Sequence, residues 1–232
     1  MKKVLSTKTL GSDALAFAQT KNLEVECVDF IETSGLAFNI ELINLSVFDA
    51  IAFTSANAVK YFFENNRAAA LIKDKQVFAL EGKTTSGLLT RGITTNIQAA
   101  SADELADAII KSKTSHAVLH LCGTLRLPVL GDKLKKAGFD YAEIVVYQTI
   151  IQTGKKVNKS YDAILFFSPS GVEGFMEQNN FGGETVCCCI GKTTAHTLKE
   201  KKNTANIILP EQPSPLSMLS AVSNHFQNHH QS

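Results

Sequence analysis

Four short polar segments contain the residue types from which an anion-binding site could be built. Residues 54–57 read Thr-Ser-Ala-Asn and residues 168–171 read Ser-Pro-Ser-Gly, whereas residues 82–85 and 191–194 both read Gly-Lys-Thr-Thr. Each segment follows an apolar run and precedes a helical pattern, which places its hydroxyl and backbone N–H groups at a helix start. A helix start carries roughly +0.5 charge and unpaired N–H donors, which suit carboxylate or phosphate ligands.

The side chains in these segments are candidate ligand contacts. They are Thr54, Ser55, Lys83, Ser168, Ser170, Lys192, Thr193 and Thr194. For any single serine or threonine the alternative interpretation is that it only caps its helix. Both kinds of segment occur twice, which favours a site, although a duplication copies caps as faithfully as it copies sites.

The four segments belong to an internal repeat. Residues 51–59 resemble residues 164–172, and the two Gly-Lys-Thr-Thr segments are separated by a similar interval of roughly 110 residues. A repeat of this length indicates a duplicated domain rather than a solenoid of short units. The 232 residues are therefore predicted to form two similar halves.

Each half reads as alternating strands and helices. In the first half, strands are predicted at 3–6, 25–30, 50–54 and 76–80, an extended segment at 93–97, and helices at 13–21, 58–65, 84–90 and 101–110, with Ser12 and Ser101 as N-caps. This alternation predicts an α/β protein with two similar lobes, each a parallel sheet flanked by helices. Ligands bind such sheets at the carboxyl ends of the strands, where the four segments lie, so we expect a cleft lined by helix starts.

Composition excludes several classes of protein. Hydrophobic residues make up 44% of the chain, which is enough for a packed core, and the net charge of +1 argues against general binding to nucleic acid. No apolar run approaches the ~18–20 residues of a membrane span, and no secretory signal is evident. Five cysteines, three of them consecutive at 187–189, then indicate reduced thiols in a cytoplasmic protein, with the run itself forming a buried strand.

The sequence lacks the common motifs for nucleotide binding, for a catalytic serine and for a cysteine-bound metal. The Walker pattern needs a further glycine where Val77 and Val186 stand, and neither G-x-G-x-x-G nor G-x-S-x-G occurs. There is no C-x-x-C, so no zinc or redox motif is supported. His116 and His120 are four residues apart within a strand-like segment, and we interpret both as structural. The sequence therefore predicts no metal site.

Five segments together resemble one known family. Residues 53–59, 146–149, 167–172, 190–195 and 213–215 are similar, in this order, to the signature segments of uroporphyrinogen-III synthases. The resemblance covers nearly the whole chain and implies two α/β lobes joined by a two-stranded linker near residues 31–36 and 147–152. One lobe would comprise residues 1–33 plus 150–232, and the other residues 34–149.

The resemblance also implies an activity. Such an enzyme is a cyclising hydro-lyase that closes a linear hydroxymethyl tetrapyrrole, inverts its terminal pyrrole ring and releases water, without cofactor or metal. The implied partner is this carboxylate-rich small molecule, with no nucleic acid or membrane, and we expect a monomer. Tyr147 matches the family's tyrosine and is the predicted proton donor. The residues implied to bind the substrate's acid groups are Ser55, Ser168, Thr193 and Thr194, with added positive charge from Lys8, Lys83, Arg126 and Lys192.

Two alternatives remain open at the level of sequence. The chain could be a non-catalytic two-lobed module that binds or senses tetrapyrroles. It could also be an enzyme acting on phosphate esters, with the Gly-Lys-Thr turns holding the phosphate.

Overall fold

The structure is a computed structural model that describes residues 1–38, 44–65, 67–152 and 154–228. The chain divides into two compact units, one formed by Met1–Glu32 with Ile150–Ser232 and the other by Thr33–Thr149. We call these the split unit and the middle unit. Within the described ranges, no helix has both the length and the apolar character needed to cross a membrane.

Strands and helices alternate along the chain. The strands are β1 (Lys2–Ser6), β2 (Leu23–Cys27), β3 (Ile31–Gly35), β4 (Ala50–Phe53), β5 (Gln76–Leu80), β6 (Ile97–Ala99), β7 (Ala117–Gly123), β8 (Asp140–Ile151), β9 (Ala163–Phe166), β10 (Val186–Cys189) and β11 (Asn206–Ile208). The α-helices are α1 (Ser12–Thr20), α2 (Ala56–Phe62), α3 (Ala68–Ile72), α4 (Lys83–Leu89), α5 (Ala102–Ser112), α6 (Val129–Lys136), α7 (Pro169–Gln178), α8 (Lys192–Lys201) and α9 (Pro215–Asn228). A short 3-10 turn covers Leu45–Val47.

Each unit is built on its own sheet. The split unit has the strand order β11-β10-β9-β1-β2, and the middle unit has the order β3-β8-β7-β4-β5-β6. All neighbours in the first sheet pair in parallel, as do those from β8 to β6 in the second. The predicted α/β class, with two parallel sheets flanked by helices, is confirmed.

The internal repeat reappears in the register of the central strands. Leu5 of β1 lies opposite Ile164 of β9, and the corresponding pair in the middle unit is Leu119 of β7 opposite Ile51 of β4. Each sheet therefore combines a β1-type strand from one repeat with a β9-type strand from the other. The sequence repeat and the compact units consequently do not coincide.

The central strands are buried on both faces, as parallel strands covered by helices must be. All residues of β4, β9 and β10 are buried, including Cys187, Cys188 and Cys189. The predicted buried strand at the cysteine run is therefore confirmed. Burial raises the pKa values of the Cys188 and Cys189 thiols to about 12, so both remain protonated at neutral pH.

Helix capping follows the sequence at Ser101 but not at Ser12. Ser101 Oγ accepts a 3.2 Å hydrogen bond from the Glu104 amide, which stabilises the start of α5. The prediction for Ser12 is wrong: α1 already includes Ser12, and Gly11 is its N-cap. A residue inside the first turn cannot direct its hydroxyl back to that turn's amides, and Ser12 Oγ instead lies 3.4 Å from the Asp13 carboxylate.

Only the last residue of the segment predicted to be extended, 93–97, belongs to a regular strand. β6 begins only at Ile97, and Asn96 forms the preceding contact with β5. The Asn96 amide donates to the Val77 carbonyl at 2.7 Å, and the Asn96 side-chain oxygen accepts from the Val77 amide at 2.8 Å. The Asn96 side-chain oxygen thus takes the place of a backbone carbonyl in the pairing with β5, and the regular strand starts at the next residue.

Candidate functional site

Tyr147 and Ser55 meet at the carboxyl end of the middle sheet. Ser55 follows β4 and is the N-cap of α2, where its Oγ accepts a 3.1 Å hydrogen bond from the Asn57 amide. The Tyr147 hydroxyl donates to the same Oγ at 3.0 Å. Because this oxygen accepts two hydrogen bonds, the hydrogen of the Ser55 hydroxyl is left to donate elsewhere.

Close packing positions the Tyr147 ring. β7 shifts register between Cys122 and Gly123, which brings Gly123 opposite Tyr147. A Cβ atom at Gly123 would lie 2.3 Å from Tyr147 Cζ, so no larger residue fits under the ring. The ring also stacks against that of Tyr61, with ring centroids 5.8 Å apart. Burial raises the pKa of Tyr147, so this hydroxyl keeps its proton at neutral pH.

Thr54 follows β4 and belongs to a half-buried row of polar groups whose other members lie on β7 and β8. Its hydroxyl lies 2.8 Å from Nε2 of His120, whose Nδ1 lies 2.7 Å from the Tyr141 hydroxyl. Tyr141 donates to the Glu143 carboxylate at 2.8 Å. The interpretation of His120 as merely structural misses this row. A histidine in an otherwise apolar strand was the available signal, because a buried polar side chain requires partners.

Arg126 is the last member of this row, and its charge is paired with that of Glu143. Its Nε donates to Glu143 Oε2 at 2.8 Å, and a second guanidinium nitrogen contacts the same oxygen. The arginine holds the pKa of Glu143 below its usual range. The predicted positive charge of Arg126 is therefore largely neutralised by a neighbour within its own unit.

Three side chains of this region could approach a metal ion. The ligand atoms of His120, Cys122 and Glu143 lie within 4.8 Å of one another. Both ring nitrogens of His120 are engaged with hydroxyl groups, and burial raises the pKa of Cys122 to about 11. A metal would have to replace one of those hydrogen bonds and ionise the thiol. The absence of a metal from the function stays a prediction.

In the split unit, Ser168 and Ser170 are occupied with the start of α7. Ser168 is the N-cap, and its Oγ accepts a 3.0 Å hydrogen bond from the Gly171 amide. Ser170 is buried, with its Oγ 3.1 Å from that of Ser168. Ser168 therefore caps the helix, and the contact of both hydroxyls with a ligand stays a prediction.

The first turn of α8 is more exposed to solvent than the first turn of α7. Gly191 is its N-cap and supplies no side-chain cap, while Lys192 and Thr193 are exposed in the first turn. Thr194 is only 3% exposed, so its side chain faces the interior and a ligand at this turn would meet backbone N–H groups instead.

The identical Gly-Lys-Thr-Thr segment before α4 has a different backbone. Gly82 adopts φ 79°, whereas Gly191 is extended with φ −171°. Lys83 is exposed at the first position of α4, and the Thr85 hydroxyl donates back to the Gly82 carbonyl at 2.9 Å. The two copies of the motif therefore present their lysines from turns of different shape.

Comparison with known proteins identifies the family. The model of the uroporphyrinogen-III synthase HemD family (HEM4) matches residues 18–220. The chain belongs to the uroporphyrinogen-III synthase family. Members of this family are cyclising hydro-lyases of tetrapyrrole biosynthesis, and the resemblance seen in the sequence is confirmed.

Solved structures of uroporphyrinogen-III synthases share the fold. The Helicobacter pylori structure superposes with a TM-score of 0.71 at 19% identity, covering 95% of this chain and 97% of that one. A mutant enzyme from the extremely thermophilic bacterium Thermus thermophilus gives 0.67 at 14% identity, covering 98% and 100%. No curated protein sequence gives a significant match.

Proposed function

We propose that this protein closes a linear hydroxymethyl tetrapyrrole into uroporphyrinogen III, with Tyr147 as the proton donor and Ser55 as its hydrogen-bond partner. The observation that carries the role of these residues is the 3.0 Å hydrogen bond from Tyr147 to Ser55. It joins two residues that the family resemblance nominated separately, in a chain whose residues 18–220 match the family model.

The proposed first step breaks the bond between the hydroxymethyl carbon and its oxygen. The departing oxygen accepts the Tyr147 proton and leaves as water, and the pyrrole nitrogen supplies the electrons that stabilise the remaining carbocation. In the free protein the Tyr147 hydrogen is directed at Ser55, so the hydroxymethyl oxygen would replace Ser55 as acceptor. The Ser55 hydroxyl, whose hydrogen is not needed for the cap, can then donate to the tyrosinate.

Ring closure itself depends on orientation. The cationic carbon must be attacked by the substituted position of the terminal ring before the simpler closure occurs. Holding reacting atoms in position can lower a barrier by ~7–11 kcal/mol in favourable cases. A fixed Tyr147, packed between Gly123 and Tyr61, suits this role because it offers one defined place for the hydroxymethyl group.

The carboxylate groups of the substrate require donors and positive charge. We propose that Lys192, Thr193 and the open first turn of α8 supply part of this binding, and that Lys83 contributes from α4. Support comes from the exposure of these residues and from the lack of a side-chain cap on either helix. We propose further that the chain acts as a monomer in the cytoplasm, in keeping with its cysteine usage.

An isomer assay tests the function. The purified protein is given freshly generated linear tetrapyrrole, and the oxidised porphyrins are separated by chromatography. We expect the type III isomer in excess over the symmetric isomer that forms spontaneously. Formation of the symmetric isomer alone would refute the enzymatic proposal. Tetrapyrrole binding without turnover would instead favour the non-catalytic module, and stabilisation by nucleotides would favour an enzyme of phosphate esters.

A further inference from the structure

The chemistry of the polar residues behind Thr54 fixes which atom donates and which accepts in each of their hydrogen bonds. Glu143 is a carboxylate, which can only accept, and it receives hydrogens from Arg126 and Tyr141. Tyr141 has a single hydroxyl hydrogen, and that hydrogen is directed at Glu143. The 2.7 Å contact between the Tyr141 oxygen and His120 must therefore be donated by His120 Nδ1.

The direction continues from His120 to Thr54. The imidazole is 1% exposed, and burial holds its pKa at about 4, so it carries one hydrogen at neutral pH. With that hydrogen on Nδ1, Nε2 is an acceptor. The 2.8 Å contact with Thr54 is then donated by the threonine. Its hydroxyl hydrogen points inward, and only the lone pairs of its oxygen remain for a ligand.

We propose that this row makes Thr54 a hydrogen-bond acceptor in the substrate site, with His120 as a positioning residue, so that Thr54 receives a pyrrole N–H group instead of a carboxylate. The inference rests on the proposed function, since it assigns part of the same site. The role of Thr54 then differs from that of the lysines and helix starts, which suit the acid groups. A tetrapyrrole carries both pyrrole N–H groups and carboxylates, so Thr54 would bind the former while the lysines and helix starts bind the latter.

The tautomer of His120 is tested on the free protein. Nitrogen-15 NMR of the labelled chain, with His120 assigned by comparison with His120→Gln, distinguishes a protonated from an unprotonated ring nitrogen. We expect a protonated Nδ1 and an unprotonated Nε2 at neutral pH. A protonated Nε2 would overturn the proposal, whether or not the protein turns over tetrapyrrole.

The ligand group is tested with two probes that carry the same carboxylates. Uroporphyrinogen III has four pyrrole N–H groups on a flexible ring, whereas uroporphyrin III is flat and turns its two N–H groups into the ring centre. Thr54→Val should weaken binding of the porphyrinogen about tenfold and leave binding of the porphyrin nearly unchanged. Equal weakening of both probes would mean that Thr54 contacts a carboxylate, and no weakening of either would mean that it contacts neither. Each of these results would overturn the proposal.

Two further variants control this experiment. Thr54→Ser keeps the hydroxyl and should restore most of the affinity for the porphyrinogen. Thr20→Val removes an exposed hydroxyl that bonds to the Phe17 carbonyl at the end of α1, and should change neither affinity. A failure of type III formation together with the expected tautomer and probe selectivity would refute the enzymatic function but leave the role of Thr54 standing.

Discussion

Tyr147 donates a 3.0 Å hydrogen bond to Ser55, although 92 positions separate the two residues in the chain. The contact forms because β7 lies between β8 and β4, with Gly123 leaving room for the tyrosine ring. It places a phenol with a raised pKa against a serine whose own hydrogen is free to donate. The proposed proton donor is therefore part of a pair.

Removing the Tyr147 hydroxyl should slow ring closure. General acids contribute about 10²–10⁴-fold to a rate, so Tyr147→Phe is expected to lower kcat within that range. The fold should change little, since one hydrogen bond is worth about 0.5–1.5 kcal/mol. The initial rate of type III formation measures the effect. Tyr161→Phe, which alters a tyrosine just before β9, is the matched control; an equal loss there would show that the effect is unspecific.

The two Gly-Lys-Thr-Thr turns should respond differently to alanine. Gly82→Ala forces a side chain into a φ of 79°, which is expected to cost about 1–2 kcal/mol of unfolding free energy. Gly191→Ala should change that free energy by less than about 0.5 kcal/mol, because its backbone is extended and nothing lies within 4 Å of the added Cβ. Urea unfolding of both variants checks this. Equal destabilisation would contradict the difference in turn shape.

Acid should weaken the fold through His120. The pKa of this histidine falls from an ordinary 6.5 to about 4, so the unfolded chain binds an extra proton between these values. Stability from this site is complete above pH 6.5 and declines as the pH falls to about 4, by roughly 3 kcal/mol in total. Urea unfolding across this range should show a shallower decline for His120→Gln. An identical decline in the variant would mean that other groups cause it.

Charge reversal at the start of α8 should weaken substrate binding. Lys192→Glu places a carboxylate beside the open helix start, and we expect KM to rise about tenfold with kcat little changed. Steady-state kinetics of type III formation measure both constants. Lys199→Glu, in the last turn of the same helix, is the control and should leave KM near the wild-type value. A similar KM rise in the control would argue for a general charge effect.

Much of the fold follows from local sequence. The repeat at residues 51–59 and 164–172 predicts two similar halves, and in the structure β4 and β9 hold equivalent registers against β7 and β1. Serines at 55, 101 and 168 are helix N-caps, the role that their position before a helical pattern allows. One local prediction is wrong, since Gly11 and not Ser12 is the N-cap of α1. The pairing of the Asn96 side chain with β5 was not indicated by the sequence.

The site was harder to predict than the fold. The contact between Thr54 and His120 spans 66 positions, and the contact between Tyr147 and Ser55 spans 92. Both depend on which strands are neighbours, and strand order is not encoded in periodicity. The pairing of Arg126 with Glu143 likewise appears only when β7 and β8 lie side by side. The sequence therefore nominated candidate residues but did not indicate the hydrogen bonds between them.

The central claim is that Tyr147 and Ser55 act as a unit in making the type III isomer. The most direct measurement is the rate of type III formation by the wild-type chain, Tyr147→Phe, Ser55→Ala and the double variant. If the two hydroxyls work as one device, the double variant will be no slower than the slower single variant. Losses that multiply would show two independent contributions and contradict the account.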